Sequence, residues 1–326
     1  MIAAHEVRWG KLTIHNPLVD YLGQEYSYNS NGSITITMEK YISKALIKAG
    51  LSPDTPGADS PCTDDLFDES TDITPVPIKQ YQSVVGLLIY LLPIRHDIRL
   101  PVGHLARANL EPTRGDLVKV IRVLRYLKTT AHIGLTLHST TGFQLSFSAD
   151  ASHACHVNGR SQHAYGTNCG NNTAPATTYS SMNTACVTVS SQESEYVILS
   201  LAAKRFIHQC NVSDQLGFKQ RYPLNFFSDN APALNLTNSI DITKKSRHVN
   251  NVYHFIRELV KQYLLKGVHV DNQHNHINLL TKPLHGSQFK FERDNLMNVA
   301  ARDSVDPSTA LANKILLLFL QEEDSM

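Results

Sequence analysis

Apolar and polar residues alternate along SITIT at 33–37, directly after an Asn31-Gly32 turn, and that period of two predicts a strand. A helix is expected over 38–49, closed by Gly50 as a C-terminal cap. From 80 to 92 nearly every residue is apolar, with Gly86 inside the run, which predicts a buried helix. The clearest amphipathic helix covers 113–128. Leu117, Val120, Ile121, Leu124 and Leu127 form its apolar stripe, while Lys119, Arg122, Arg125 and Lys128 lie off it.

The pattern changes at Ile133. Segments 133–137 and 143–149 are expected to be strands joined by a turn at 140–142. In the second, Phe143, Leu145, Phe147 and Ala149 share one face, and Gln144, Ser146, Ser148 and Asp150 share the other. Ser-rich, weakly patterned sequence up to Ser191 reads as short strands. A helix over 193–209 aligns Glu195, Leu199, Ala202 and Phe206 on one face. A strand over 224–227 runs into Asp229, with a helix starting near Pro232. Then come a helix over 250–264, a strand over 267–270 and short helices holding Leu279 and Phe289. Strands followed by alternating helix and strand point to a mixed α/β layer structure. Residues 300–326 read as an appended helix with an acidic end.

Composition narrows the function classes. The 326 residues are 42% hydrophobic and 18% charged, enough for a real core and unlike a disordered chain. Thirty Lys+Arg against 29 Asp+Glu give a net charge of +1, which excludes nucleic-acid binding driven by overall charge but not a local basic stripe. The amphipathic helix offers such a stripe for a phosphate backbone, or simply a solvated face. Residues 52–77 hold five prolines and the acids Asp64, Asp65, Asp68 and Glu69, and read as an exposed loop. Five cysteines without a Cys-x-x-Cys pair read as reduced thiols. A zinc site from His153, Cys155, His156, His163 and Cys169 fits no usual ligand spacing. The N-terminal MIAAHEVRWG has no apolar signal region, and the apolar run 84–92 is too short to span a bilayer. An intracellular protein, cytoplasmic or nuclear, is expected, with no membrane partner. The cluster Lys244-Lys245-Ser246-Arg247-His248 is too short to count as a nuclear signal.

Three acids stand where secondary structure would bring them together. Asp150 closes a strand, Glu195 lies in the first turn of a helix, and Asp229 follows another strand. Strand ends and helix starts on one rim of a sheet are where α/β sites usually sit. Carboxylates converging there repel unless a hard dication neutralises them, and Mg²⁺ or Mn²⁺ suits such oxygen ligands. Two such ions about 3.5–4 Å apart serve phosphodiester hydrolysis. The bland alternative gives Asp229-Asn230 a helix-capping role and Glu195 a helix-dipole role. Glu193 is the runner-up for the helix acid. It stands about 200° around the helix from Glu195, so both cannot enter one site.

The run YQSVVGLLIYLLPIRHDIRLPVGHLARANLEPTRGDLVKVIRVLRYLKTTAHIGL (81–135) resembles the Ty1/copia-type retrotransposon polyprotein beyond its polymerase palm. Upstream, LGQEYSYNSNGSITITMEKYISKAL (22–46) is similar to the same family. Downstream, SADASHA (148–154), SSQESEY (190–196), SDNAPAL (228–234), KSRHVNNVYHFIRE (245–258) and LLTKPL (279–284) resemble its ribonuclease H domain in order and spacing. The resemblance covers about 18–296 and is specific as an ordered set. It implies a truncated Pol piece. Its parts would be a mostly helical reverse-transcriptase palm-end, thumb and connection region over 1–132, an RNase H-like mixed sheet flanked by helices over 133–296, and a tail over 297–326.

Carried over residue by residue, the resemblance gives Asp150, Glu195 and Asp229 as catalytic metal ligands. Asn278 falls where the family has a fourth Asp, so a second metal is expected to bind more weakly. Arg247 and His248 join the basic stripe as implied nucleic-acid contacts. Other departures are Asn250 for an Asp, and His153 and Tyr179 for two Trp residues. Asp271 is a distant substitute for the missing acid, and His274 or His276 a candidate proton shuttle. The only Asp-Asp, Asp64-Asp65, lacks the Tyr-x-Asp-Asp context of a polymerase site. The implied partners are an RNA–DNA hybrid and the rest of a reverse transcriptase. The implied activity is hydrolysis of the RNA strand. A catalytically silent binding remnant is the rival, and a fragment whose apolar 84–92 region stays exposed and aggregates is a third reading.

Overall fold

The computed structural model describes residues 19–30, 32–137, 143–169, 176–184, 187–238 and 254–299. The first sheet begins with β1 (Asp20–Tyr21) and β2 (Gln24–Tyr28), which form a hairpin. Its two-residue turn, Leu22-Gly23, has positive φ at both positions, the backbone that matches strand twist and that glycine adopts freely. β3 (Ile34–Thr37) and β4 (Leu135–Leu137) complete the antiparallel order β1-β2-β3-β4. The predicted alternation holds in β3: Ile34 and Ile36 are buried, Thr35 and Thr37 half-buried. The strand expected over 133–137 exists, but its partner is β3 and not the strand that follows it. The turn expected at 140–142 lies outside the described residues. Sheet membership thus assigns Leu135–Leu137 to the first unit.

Four helices accompany this sheet: α1 (Glu39–Lys48), α2 (Ile78–Ile89), α3 (Arg99–Leu105) and α4 (Arg114–Thr129). The Thr113 side chain and the Asp116 carboxylate close a reciprocal capping box at the start of α4. Val84, Val85, Leu88 and Leu91 are buried but Gly86, Ile89 and Tyr90 are exposed, so the apolar run around α2 puts one face in the core and is not the wholly buried helix expected. Beside it Arg95 is wholly buried, its guanidinium donating to both Asp97 oxygens at 2.9 and 2.8 Å and to the Thr130 carbonyl at 2.9 Å. The Tyr126 hydroxyl donates to the same Asp97 at 2.5 Å.

The segment 52–77 is better ordered than its prolines and acids suggest. A 3₁₀ turn at Asp64–Phe67 buries Leu66 and Phe67, and Cys62 packs beside them. The basic stripe of α4 holds this segment. Lys119 Nζ donates to the carbonyls of Asp65, Leu66 and Asp68, and Arg125 to those of Pro56 and Gly57. Arg122 donates to Ser60 Oγ, and Lys128 to the carbonyls of Pro53 and Thr55.

The second sheet is built from β5 (Leu145–Ser152), β6 (Gln162–Cys169), β7 (Ala176–Asn183), β8 (Leu224–Ser228) and β9 (Leu265–His269). Its order is β7-β6-β5-β8-β9. The first three strands are antiparallel to one another, and β8 and β9 run parallel to β5. The helices are α5 (Ser191–Gln215), α6 (Ala231–Asn238), α7 (Phe255–Lys261) and α8 (Gly286–Leu296). This is the mixed sheet flanked by helices that the ribonuclease H resemblance implied. Phe147 of β5 packs on Phe206 of α5 with ring centroids 4.9 Å apart. The opposite side of the sheet is covered at β5 and β6 by the 3₁₀ turn at His276–Leu280, whose Ile277 lies against Gly166; a shorter turn at Asn272–His274 precedes it. With both faces covered, β5 is buried almost throughout, polar positions included.

One continuous hydrophobic core joins the two units. The rings of His96 and Tyr179 meet at 4.6 Å, and those of Tyr126 and Phe289 at 5.5 Å. The Thr136 amide of β4 donates to the Met297 carbonyl just beyond α8 at 3.1 Å. Residues 250–253 and the tail 300–326, for which helix was expected, lie outside the described residues. No helix among the described residues is long and apolar enough to cross a membrane.

Candidate metal centre

Strand register brings the first two acids together. β5 and β8 run parallel with Ser148 opposite Phe227, so two residues further along, Asp150 and Asp229 emerge side by side. The third comes from the start of α5, where Ser190 Oγ accepts the Glu193 amide at 3.1 Å. Glu193 returns the favour by accepting the Val189 amide at 2.7 Å, which commits it to the cap. Glu195 is the helix acid that turns inward. Asp150, Glu195 and Asp229 each present a carboxylate oxygen, all within 4.8 Å of one another. They are the only group of three or more potential metal ligands among the described residues. Asn230, not Asp229, caps α6 by accepting the Ala233 amide at 2.9 Å.

The surroundings hold Asp150 rigidly. Thr281 Oγ1 donates to its Oδ2, Asn275 Nδ2 approaches Oδ1 at 3.5 Å, and Lys282 Nζ stands 3.8 Å from Oδ2. Asn278 is buried nearby. Its amide donates to the Asn272 carbonyl at 3.0 Å and to Asn272 Oδ1 at 2.8 Å, and its own Oδ1 accepts from Lys282 Nζ at 2.6 Å. Glu195 is different: it is only 4% exposed, yet its Oε2 has no hydrogen-bond partner.

Burial first, then the charges of Asp150 and Asp229, push the Glu195 carboxyl up to about 9. Burial raises Asp150 as well. Lys282 and the Thr281 hydroxyl pull it back, and the Asp229 charge adds to the rise. Three crowded carboxyls, one with an orphaned buried oxygen, are the donor set that a hard dication completes. Behind α5, His163 Nε2 bonds Ser194 Oγ at 2.9 Å, and burial depresses this imidazole to about 3, so it stays neutral and anchors the helix start.

Other candidates fall elsewhere. The histidines and cysteines considered for zinc do not converge: His153 faces Thr188, His156 bonds Gln162, and His163 bonds Ser194. Cys62, Cys155, Cys169 and Cys210 are free thiols. Asp271 is exposed and stands outside the carboxylate cluster. His276 pairs with the buried Glu292 at 3.1 Å, and His274 lies exposed in its turn. The cations Lys119, Arg122, Arg125 and Lys128 face the 52–77 segment. Arg247 and His248 lie outside the described residues. Thr281 and Lys282 belong to the LLTKPL motif, but only the turn around Asn278 reveals that they face Asp150.

No family model matches the chain. Among curated proteins it is 29% identical over 212 residues to the Retrovirus-related Pol polyprotein from transposon RE1 of Arabidopsis thaliana, covering 65% of this chain and 14% of that protein. It is 35% identical over 187 residues to a transposon Ty5-1 protein of Saccharomyces cerevisiae, covering 55% of this chain and 58% of that one. An uncharacterized mitochondrial protein of Arabidopsis thaliana is 31% identical over 202 residues, with 57% and 76% covered. The chain thus spans between about a seventh and three fifths of the two transposon proteins' lengths. Among solved structures, a foamy viral protease-reverse transcriptase in complex with RNA/DNA hybrid overlaps 77% of this chain and 29% of its own at a TM-score of 0.43 and 11% identity. The N-terminal RNase H domain of a Mycobacterium tuberculosis protein overlaps 49% of this chain and all of its own at a TM-score of 0.29 and 13% identity. Overlaps this loose place no side chain.

Proposed function

This chain belongs to the Ty1/copia-type retrotransposon Pol polyprotein family, and from that premise we propose that its second sheet carries a ribonuclease H-type nuclease. Its substrate is the RNA strand of an RNA–DNA hybrid. The observation that carries the reading is the convergence of Asp150, Glu195 and Asp229 around the unpartnered Glu195 oxygen. These three residues would hold Mg²⁺ or Mn²⁺, which when bound activates water and stabilises charge on the scissile phosphate.

The chain's own residues do the rest. Thr281 and Asn275 fix the Asp150 carboxylate, so the ligand closest to the sheet centre cannot rotate away. The Ser190 cap and the His163–Ser194 bond fix the first turn of α5, and with it the direction of Glu195. Asp229 is less buried than the other two and marks the open side, where a phosphate can approach. Asn278 supplies no charge, and its carbonyl oxygen is engaged by Lys282, so a second ion lacks a fourth acid. Asp64 and Asp65 are the exposed residues of the 3₁₀ turn that buries Leu66 and Phe67, and they stand outside the carboxylate cluster.

A second reading has one observation in its favour. The locked Asn278 amide suits a remnant that binds hybrid without cutting it. Cleavage of a labelled hybrid by the full chain in Mg²⁺ separates the two. Asp150→Asn and Glu195→Gln should each lower cleavage about a hundredfold or more, and Asn278→Asp should raise it. A wild type and an Asn278→Asp variant that both bind hybrid and never cut it would leave the remnant reading standing.

A further inference from the structure

The charge around the three acids is already partly balanced by the protein itself. Lys282 Nζ lies 3.8 Å from Asp150 Oδ2 and 2.6 Å from Asn278 Oδ1. It is tethered there, because Asn278 is buried and held through both donors by Asn272. A neutral amide at 278 gives the ammonium a partner that adds no negative charge. Three ionised carboxylates carry a charge of −3, which one dication and the Lys282 ammonium together neutralise. A second dication would leave a net charge of +2 at a site whose Asp150 and Glu195 side chains are buried. Like charges that close in a low-dielectric site repel strongly.

We propose that this site takes up a single divalent cation, and that the Lys282 ammonium, tethered by Asn278, stands in the place of a second one. The inference rests on the metal-dependent nuclease reading of the same carboxylates. Lys282 is a positioning residue. It offsets part of the rise that burial imposes on the Asp150 carboxyl, and holds positive charge on the Asn278 side of the site. The side chain is 38% exposed, so its tethered ammonium faces solvent on the side from which a phosphate would approach the acids. Residue 278 and residue 282 therefore act as a pair. A carboxylate at 278 together with a neutral residue at 282 would restore a cleft with a charge of −4, which two dications match.

The test counts ions on the full chain. Mn²⁺ uptake, followed through loss of the free-ion electron paramagnetic resonance signal, should reach one ion per chain in the wild type. The Asn278→Asp/Lys282→Ala double variant should take up two over the same concentration range. Because the Asn278 position is buried, its folding is checked by circular dichroism. Lys282→Gln alone alters only a partly exposed side chain and should admit a second ion at millimolar Mn²⁺. Two ions on the wild type, or one ion on every variant, overturn the inference and leave the carboxylate site intact. No uptake by the wild type, or uptake unchanged in Asp150→Asn and Glu195→Gln, overturns the nuclease reading itself.

Discussion

Glu195 is a carboxyl that the fold keeps protonated at neutral pH. Its ordinary value of 4.5 is raised to about 9, chiefly by burial and then by its two acidic neighbours. The folded chain therefore binds a proton here that the unfolded chain has released. The stability that depends on this proton is present below about pH 4.5 and is lost as pH rises towards 9. On the proposed metal-binding reading a dication would take over the proton's role, so added Mg²⁺ should raise the melting temperature more at pH 8.5 than at pH 6. Glu195→Gln should flatten the alkaline fall, gaining about 1 kcal/mol or more over the metal-free wild type at pH 8.5, and should lose most of the Mg²⁺ response. Thermal melts at the two pH values check both; a Glu195→Gln profile parallel to the wild type would refute the assignment. Arg95 and Asp97 pose the opposite case, an ion pair with both side chains out of solvent. Asp97→Ala would strand the guanidinium and cost about 3–5 kcal/mol, read by urea unfolding. The carboxylate triad was legible from strand ends and a helix start. The Arg95–Asp97 pairing was not, because it depends on a 3₁₀ turn at His96–Ile98 that no periodicity announces.

At the scale of elements, α4 shows how a correct helix prediction can leave its polar face unassigned. Of its predicted apolar stripe Val120, Leu124 and Leu127 are buried and Leu117 half-buried, but Ile121 is exposed, and the inward face is completed by Val123 and Tyr126 instead. The cations on the other side bind main-chain carbonyls of the 52–77 segment. A sequence shows where a cation lies on a helix, but its partner is more than fifty residues away in the chain. Lys119→Ala should therefore speed proteolytic cleavage within 52–77 severalfold and leave the salt dependence of hybrid binding unchanged. A shallower salt slope would return this stripe to the nucleic acid. The strands differ in legibility for a related reason. β3 alternates cleanly, whereas β6 is buried at every position yet reads Gln-His-Ala-Tyr-Gly-Thr-Asn-Cys. Its polar side chains are paired internally, Gln162 with His156 and Ser181, and Asn168 with Ser148. Hydrogen bonding replaces apolarity as the condition for burial, and the alternating signal disappears.

For the whole molecule, the decisive feature is that the two sheets do not own separate cores. β4 completes the first sheet, and immediately afterwards the chain enters the second. Its Thr136 also accepts from Asn298 Nδ2 at 3.1 Å, so the far end of the second unit is stitched back onto the first. The Cβ of an alanine at Gly103 would lie 3.7 Å from the Ser181 carbonyl, which places α3 directly against β7. Of the α2 region that looked liable to remain exposed, Val84, Val85, Leu88 and Leu91 enter this shared core, and Ile89 and Tyr90 stay at the surface. Two units so joined should unfold together. Calorimetry should give one transition, with calorimetric and van't Hoff enthalpies in agreement. Phe289→Ala removes the ring that meets Tyr126 across the junction. It should cost about 3–5 kcal/mol and lower the melting of both sheets, seen as equal loss of amide-exchange protection in β3 and β5. If β3 kept its protection while β5 lost it, the units would be independent folds in contact, and the carboxylate cluster could then be studied without the first sheet.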